Sequence, residues 1–156
     1  MKNMNKIPED MDSLRKTYEN KVPREGTCGP TIIAYLTGKT VKEVIDNWTI
    51  PYRGYCSTRE LEKNLKKVGF KVERIQSIDK HNFVLPKDVN RAIARIQWGG
   101  KYVNFPIPEK NTHFVLLDET KGVLELFDNT GGLFSADSER VKKYMTEGKI
   151  TSFLII

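Results

Sequence analysis

One segment constrains this chain more than any other: Cys28-Gly29-Pro30-Thr31-Ile32-Ile33-Ala34-Tyr35-Leu36. Pro30 suits the first turn of a helix, where the amides have no intrahelical acceptor, and Gly38 suits its end. Between them the residues are apolar on nearly every side. A helix of that kind cannot lie on a surface; the rest of the chain must enclose it, which takes at least two packed layers. A chain of 156 residues can bury one such core. We read it as a single domain, 1–156, with a helical extension at 1–21, a helical part at 22–69 and a mainly sheet-forming part at 70–156.

The flanking patterns supply the layers. Met11, Leu14 and Tyr18 have the spacing of a short surface helix within residues 8–19. Thr40 with Glu43, and Ser57 with Glu60, have capping-box spacing. The first introduces a helix with Val41, Val44, Ile45 and Trp48 on its apolar stripe. The second introduces one with Leu61, Leu65 and Val68 inward, ended by Gly69. Phe70 to Ile75 alternates as a strand, and Pro86 to Trp98 reads as helix turning into strand. His113–Leu117 and Val123–Phe127 flank a turn-rich segment and read as a hairpin. Ser135 or Asp137 caps a final helix through Val141 and Tyr144, closed by Gly148, and Ile150 to Ile156 is a last strand. Helices followed by strands predict an α+β fold, with an antiparallel sheet packed on a central helix.

Composition narrows the function classes. Two cysteines cannot make a disulfide scaffold, so both thiols are expected to be free. No apolar run approaches the roughly 18 residues of a membrane span. The N-terminal stretch carries Pro8, Glu9, Asp10 and Asp12 where a signal peptide needs an apolar core, which predicts a cytoplasmic protein without membrane insertion. The 26 basic and 20 acidic residues give a net charge of +6 with the signs interspersed. That pattern argues against a nucleic-acid track without excluding an acidic partner. No phosphate-binding loop or dinucleotide fingerprint is present.

A catalytic thiol needs a lowered pKa, which helix N-terminal amides and an imidazole together provide. Cys28 stands at a predicted helix N-terminus. His113 begins a predicted strand, a rigid place to hold a general base. If Thr120-Lys121 forms a two-residue turn, Leu117 faces Leu124, Val115 faces Leu126 and His113 faces Asp128, so one apolar face ends in a His/Asp pair. A three-residue turn with Gly122 left-handed would instead set His113 against Asn129 and Leu117 against Glu125. The register that keeps one face apolar is preferred, which favours Asp128, with Asn129 the alternative orienter.

Thr27-Cys28-Gly29-Pro30 before an apolar helix, His113-Phe114-Val115-Leu116-Leu117, and Phe127-Asp128-Asn129 after a hairpin form an ordered series over about residues 20–134. The series resembles the papain-like cysteine peptidases, particularly the bacteriocin-processing, double-glycine leader type. The resemblance implies a papain-like fold with the cysteine on a central helix and His and Asp on the sheet. It further implies Cys28 as nucleophile, His113 as general base and then acid, Asp128 as its orienter, and acyl transfer from a peptide or protein through a thioester without metal or cofactor. The family usually places a glutamine shortly before its cysteine to complete the oxyanion hole. Here that position is Val22, and Asn20 is the candidate second donor beside the Cys28 amide. Two other readings stay open: a catalytically weak or inactive binding or inhibitor module, motivated by Val22, and transglutaminase-like acyl transfer, which uses the same order of residues.

The remaining candidates have simpler accounts. Cys56 precedes the capping Ser57 and reads as structural. His81 sits in a polar loop, and Cys28, Cys56, His81 and His113 lack the close ligand pair of a zinc site. The basic stretch from Arg59 to Arg74 contains Glu60, Glu62 and Glu73 and reads as a solvated helix face. Trp98, Lys101 and Tyr102 could stack on bases, but Gly99-Gly100 makes a turn the simpler reading.

Overall fold

The computed structural model describes residues 28–99, 112–129 and 132–156. The helix expected within residues 8–19, together with Asn20, Val22, Lys101 and Tyr102, lies outside the described residues. Helix α1 spans Cys28–Thr37, α2 Val41–Asp46 and α3 Thr58–Lys67. Strand β1 spans Glu73–Ile75, β2 Arg91–Trp98, β3 Thr112–Asp118, β4 Glu125–Asp128 and β5 Gly132–Ser135, followed by α4 at Glu139–Glu147 and β6 at Gly148–Ile155. The strands form one antiparallel sheet in the order β1-β6-β2-β3-β4-β5. The chain is thus α+β, with helices on both faces of an antiparallel sheet. Among the described residues no helix is long and apolar enough to cross a membrane.

Helix α1 is enclosed as its composition requires: every residue from Cys28 to Leu36 is buried. Phe114 and Leu116 of β3 and Phe127 of β4 lie below it, and Val41, Val44, Trp48, Leu61 and Leu65 close over it. Both N-cap hydroxyls engage, and the first closes a full capping box. Thr40 Oγ1 accepts from the Glu43 amide at 3.1 Å while the Thr40 amide donates to the Glu43 carboxylate at 3.4 Å. Ser57 Oγ accepts from the Glu60 amide at 3.1 Å. The Glu60 carboxylate turns away to Arg53 and to Trp48 Nε1, so it ties α3 to the loop before it rather than closing the second box.

On the opposite face Ala92, Ala94, Ile96, Trp98, Val115, Leu117, Leu126 and Phe153 pack with Val141 of α4. This two-sided burial explains the main departure from expectation. Pro86 to Trp98 contains no helical stretch; Arg91–Trp98 is strand throughout. Lying between β6 and β3, β2 buries Ala92, Ala94, Ile96 and Trp98 on one face and adds Ile93 to the core on the other, and Val89, Ala92, Ile93 and Ile96 then imitate a helical spacing. The strand expected from Phe70 begins only at Glu73. The last helix is capped by Ser138 rather than Ser135 or Asp137, because Ser135 ends β5 and hydrogen bonds to the Asp137 carboxylate. Strand β5, Gly132–Ser135, was not expected from the sequence. Gly148 closes α4 as expected, for a packing reason: a Cβ there would stand 2.8 Å from Ile96 Cγ2 and 3.0 Å from the Gln97 carbonyl oxygen.

The β3–β4 hairpin adopts neither expected register. Leu116 pairs with Phe127, Leu117 with Leu126 and Asp118 with Glu125. The preferred register is displaced by two residues, a shift that leaves every side chain on its expected face. The longer turn is made by Asp118, whose carboxylate accepts from the Thr120 amide at 2.8 Å, and by Gly122 at φ 85°.

Candidate active site

Strand alternation decides which side chains at the ends of β3 and β4 meet. His113 shares parity with Val115 and Leu117, and Asp128 shares parity with Leu126, so both face the α4 side of the sheet. In the observed register they stand diagonally across the hairpin, a separation that longer side chains bridge. The imidazole Nε2–H donates to Asp128 Oδ1 at 3.1 Å, and both residues are almost completely buried, 1% and 0% exposed. The second carboxylate oxygen accepts from the Tyr144 hydroxyl of α4. Trp98 stacks on the imidazole at 6.1 Å between centroids with 17° between planes, and Tyr144 meets it edge-on at 5.9 Å. Asn129, the alternative orienter, is also buried.

A buried carboxylate survives only where donors compensate its lost hydration. Here the imidazole and the phenol supply one to each oxygen. Asp128 and Trp98 set the plane of the ring. Sequence reasoning missed Tyr144 and Trp98 as members of this cluster. Tyr144 was counted only as part of an apolar stripe and Trp98 as a base-stacking candidate, yet Trp98 is 1% exposed.

Cys28 begins α1 and belongs to the helical layer on the other face of the sheet, 7% exposed. Its position along the sheet follows from the helix direction. Tyr35 packs on Phe127 with centroids 4.1 Å apart. Its hydroxyl pKa is pushed up by burial and by the carboxylates of Asp118 and Glu125, with Arg91 opposing. Those three charges occupy the end of the sheet opposite His113 and Asp128. From Tyr35 back to Cys28 a helix falls about 10 Å, and from Leu116 back to His113 a strand covers roughly the same distance. Tyr35 therefore lies toward the end of the sheet remote from His113 and Asp128, with Cys28 at the other end of α1. The structure brings His113 and Asp128 together and adds Tyr144 and Trp98. Cys28 belongs to the helical layer on one face of the sheet, while the ring contacts of the imidazole described above are on the α4 side.

Cys56 is buried and packs on the start of α1; a Cβ on Gly29 would stand 2.6 Å from its sulfur. His81 is 67% exposed and pairs with Asp79 at 3.2 Å, as a loop residue. Lys66 and Arg74 pair with Glu62, and Arg53 with Glu60, as a solvated helix face predicts. No protein-family model matches the chain, and no curated protein matches it significantly.

Proposed function

We propose that the protein is a papain-like thiol hydrolase acting on an amide bond of a peptide or protein, with Cys28 as nucleophile, His113 as proton carrier and Asp128 as orienter. The observation that carries this reading is the buried His113–Asp128 hydrogen bond, in a chain whose enclosed helix α1 begins at Cys28. In the reaction the Cys28 sulfur bonds to the carbonyl carbon and its proton passes to His113 Nδ1. The amine departs with that proton and leaves a thioester. Water then attacks the thioester, giving its proton back through the imidazole, and the acid is released with the thiol restored. Asp128 holds the ring and offsets the imidazolium charge, and Tyr144 fixes the carboxylate. An amine in place of water would make the same steps an acyl transfer.

A second reading, a binding module built on the same fold, is favoured by the packing of the imidazole between Trp98 and Tyr144, away from the helical layer that holds Cys28. The hydrolase must bring Nδ1 within hydrogen-bond reach of the sulfur, and the binding module need not. Iodoacetamide labelling of Cys28 between pH 5 and 9, followed by peptide mass mapping, separates the two. A hydrolase labels Cys28 at neutral pH at least about tenfold faster than His113→Ala does, because the imidazole stabilises the thiolate. Equal rates in the two proteins favour the binding module.

A further inference from the structure

On the face of the sheet covered by α1, α2 and α3 a groove of about 560 Å³ runs between the N-terminus of α3 and the strands β1, β6 and β2, reaching the first residue of β3. Alternation sets its floor: Arg95 follows the parity of Ile93, Ser152 that of Leu154 and Thr112 that of Phe114, all three neighbours belonging to the helical-layer core. Three guanidinium residues, Arg59, Arg74 and Arg95, line it. Glu62 offsets part of this charge, pairing with Arg74 at 3.3 Å, but it is shared with Lys66 at 2.8 Å. Arg95 is steadied by donating to Thr151 Oγ1 at 2.8 Å.

Two further features point into the groove. Helix α3 presents its first amides there, and since Ser57 caps only the Glu60 amide, those of Thr58 and Arg59 are donors the helix itself does not use. Ser152, 5% exposed, lines the same groove with a buried hydroxyl that has no hydrogen-bond partner among the described residues. A buried hydroxyl left so is costly, and a ligand oxygen would satisfy it.

We infer that this groove binds the phosphate group of a phosphate monoester. Guanidiniums, helix amides and a hydroxyl line one groove, more donors than the two oxygens of a carboxylate accommodate. The site is independent of thiol chemistry and is expected intact in Cys28→Ser, so its failure and that of the proposed hydrolase are separable.

Titration of isotopically labelled full-length protein with inorganic phosphate at constant ionic strength tests this. Saturable amide shifts at Thr58, Arg59 and Ser152 are expected, with affinity reduced about tenfold in each of Arg59→Gln and Ser152→Ala. Ser152 lies in a buried strand, whereas Arg59 is exposed, so the Arg59 variant reports on binding even if Ser152→Ala unfolds. Glycerol phosphate and phosphoserine serve as separate arms, and the one that binds more tightly than inorganic phosphate identifies the carrier. Shifts that stay linear, acetate binding as tightly as phosphate, or unchanged affinity in Arg59→Gln would each overturn the assignment.

Discussion

Replacing Tyr144 with Phe isolates one bond of the His113–Asp128–Tyr144 cluster. The ring survives, and with it the edge-on packing on Trp98 at 5.3 Å and on His113 at 5.9 Å, so only the hydroxyl that donates to Asp128 is lost. Asp128 is fully buried, so a donor lost from its carboxylate is not replaced by bulk water. A hydrogen bond to a charged acceptor contributes about 1.5–3 kcal/mol. Taking about 2 kcal/mol and the entropy of unfolding of a chain this size, the midpoint of thermal unfolding should fall by about 4–8 °C. Urea titration followed by circular dichroism should show a lower midpoint at unchanged slope, since no surface is newly exposed in the native state. The same substitution in an Asp128→Asn background should cost less, with a coupling of about 1 kcal/mol, because the acceptor charge is gone. A loss below about 0.5 kcal/mol in the wild-type background, or strict additivity in the cycle, would mean that the carboxylate does not depend on Tyr144, and the account of the buried pair would fail.

Other expectations follow from single contacts. Gly29→Ala places a methyl 2.6 Å from the Cys56 sulfur, so it should cost about 1–3 kcal/mol by urea titration and be largely rescued by Cys56→Ala; a stabilising Gly29→Ala would refute the close approach. Phe127→Ala removes the ring that packs on Tyr35 and should cost about 3–5 kcal/mol, read from the same transition. Glu62 is held below the ordinary carboxylate range by the hydrogen bond from Lys66, with burial opposing and the charges of Lys66, Arg74 and Arg59 helping. A depressed folded-state pKa contributes stability that is present above the ordinary value of 4.5 and lost as pH falls through the folded one. Glu62→Gln should therefore flatten the acid limb of the stability–pH curve below that value, with an effect at neutral pH of about 0.3–0.5 kcal/mol, and an unchanged acid limb would count against the pairing.

Much of this molecule was legible in short stretches of sequence because the physics there is local. The enclosed helix at Cys28–Leu36 follows from apolar residues around its whole circumference. The caps at Thr40 and Ser57 follow from a hydroxyl three residues ahead of an amide that needs an acceptor. The common face of His113, Val115 and Leu117 follows from the two-residue repeat of a strand, and it held through a hairpin shift because that shift was even. Other features depended on neighbours distant in the chain. The strand at Arg91–Trp98 resembled a helix until β6 and β3 were seen on either side, with Ile93 buried on one face and Ala92, Ala94, Ile96 and Trp98 on the other. The register of β3 and β4 was decided by the Asp118 carboxylate holding a longer turn, and the stop at Gly148 by its contact with Ile96 and Gln97. The partner of Asp128 on α4 had no signature at all, since Tyr144 met the demands of an apolar stripe equally well. Sequence alone determined which segments must be buried and which face each strand residue occupies, because those depend on backbone periodicity. Tertiary structure decided which buried polar groups meet, because a hydrogen bond depends on where two elements remote in sequence come to rest.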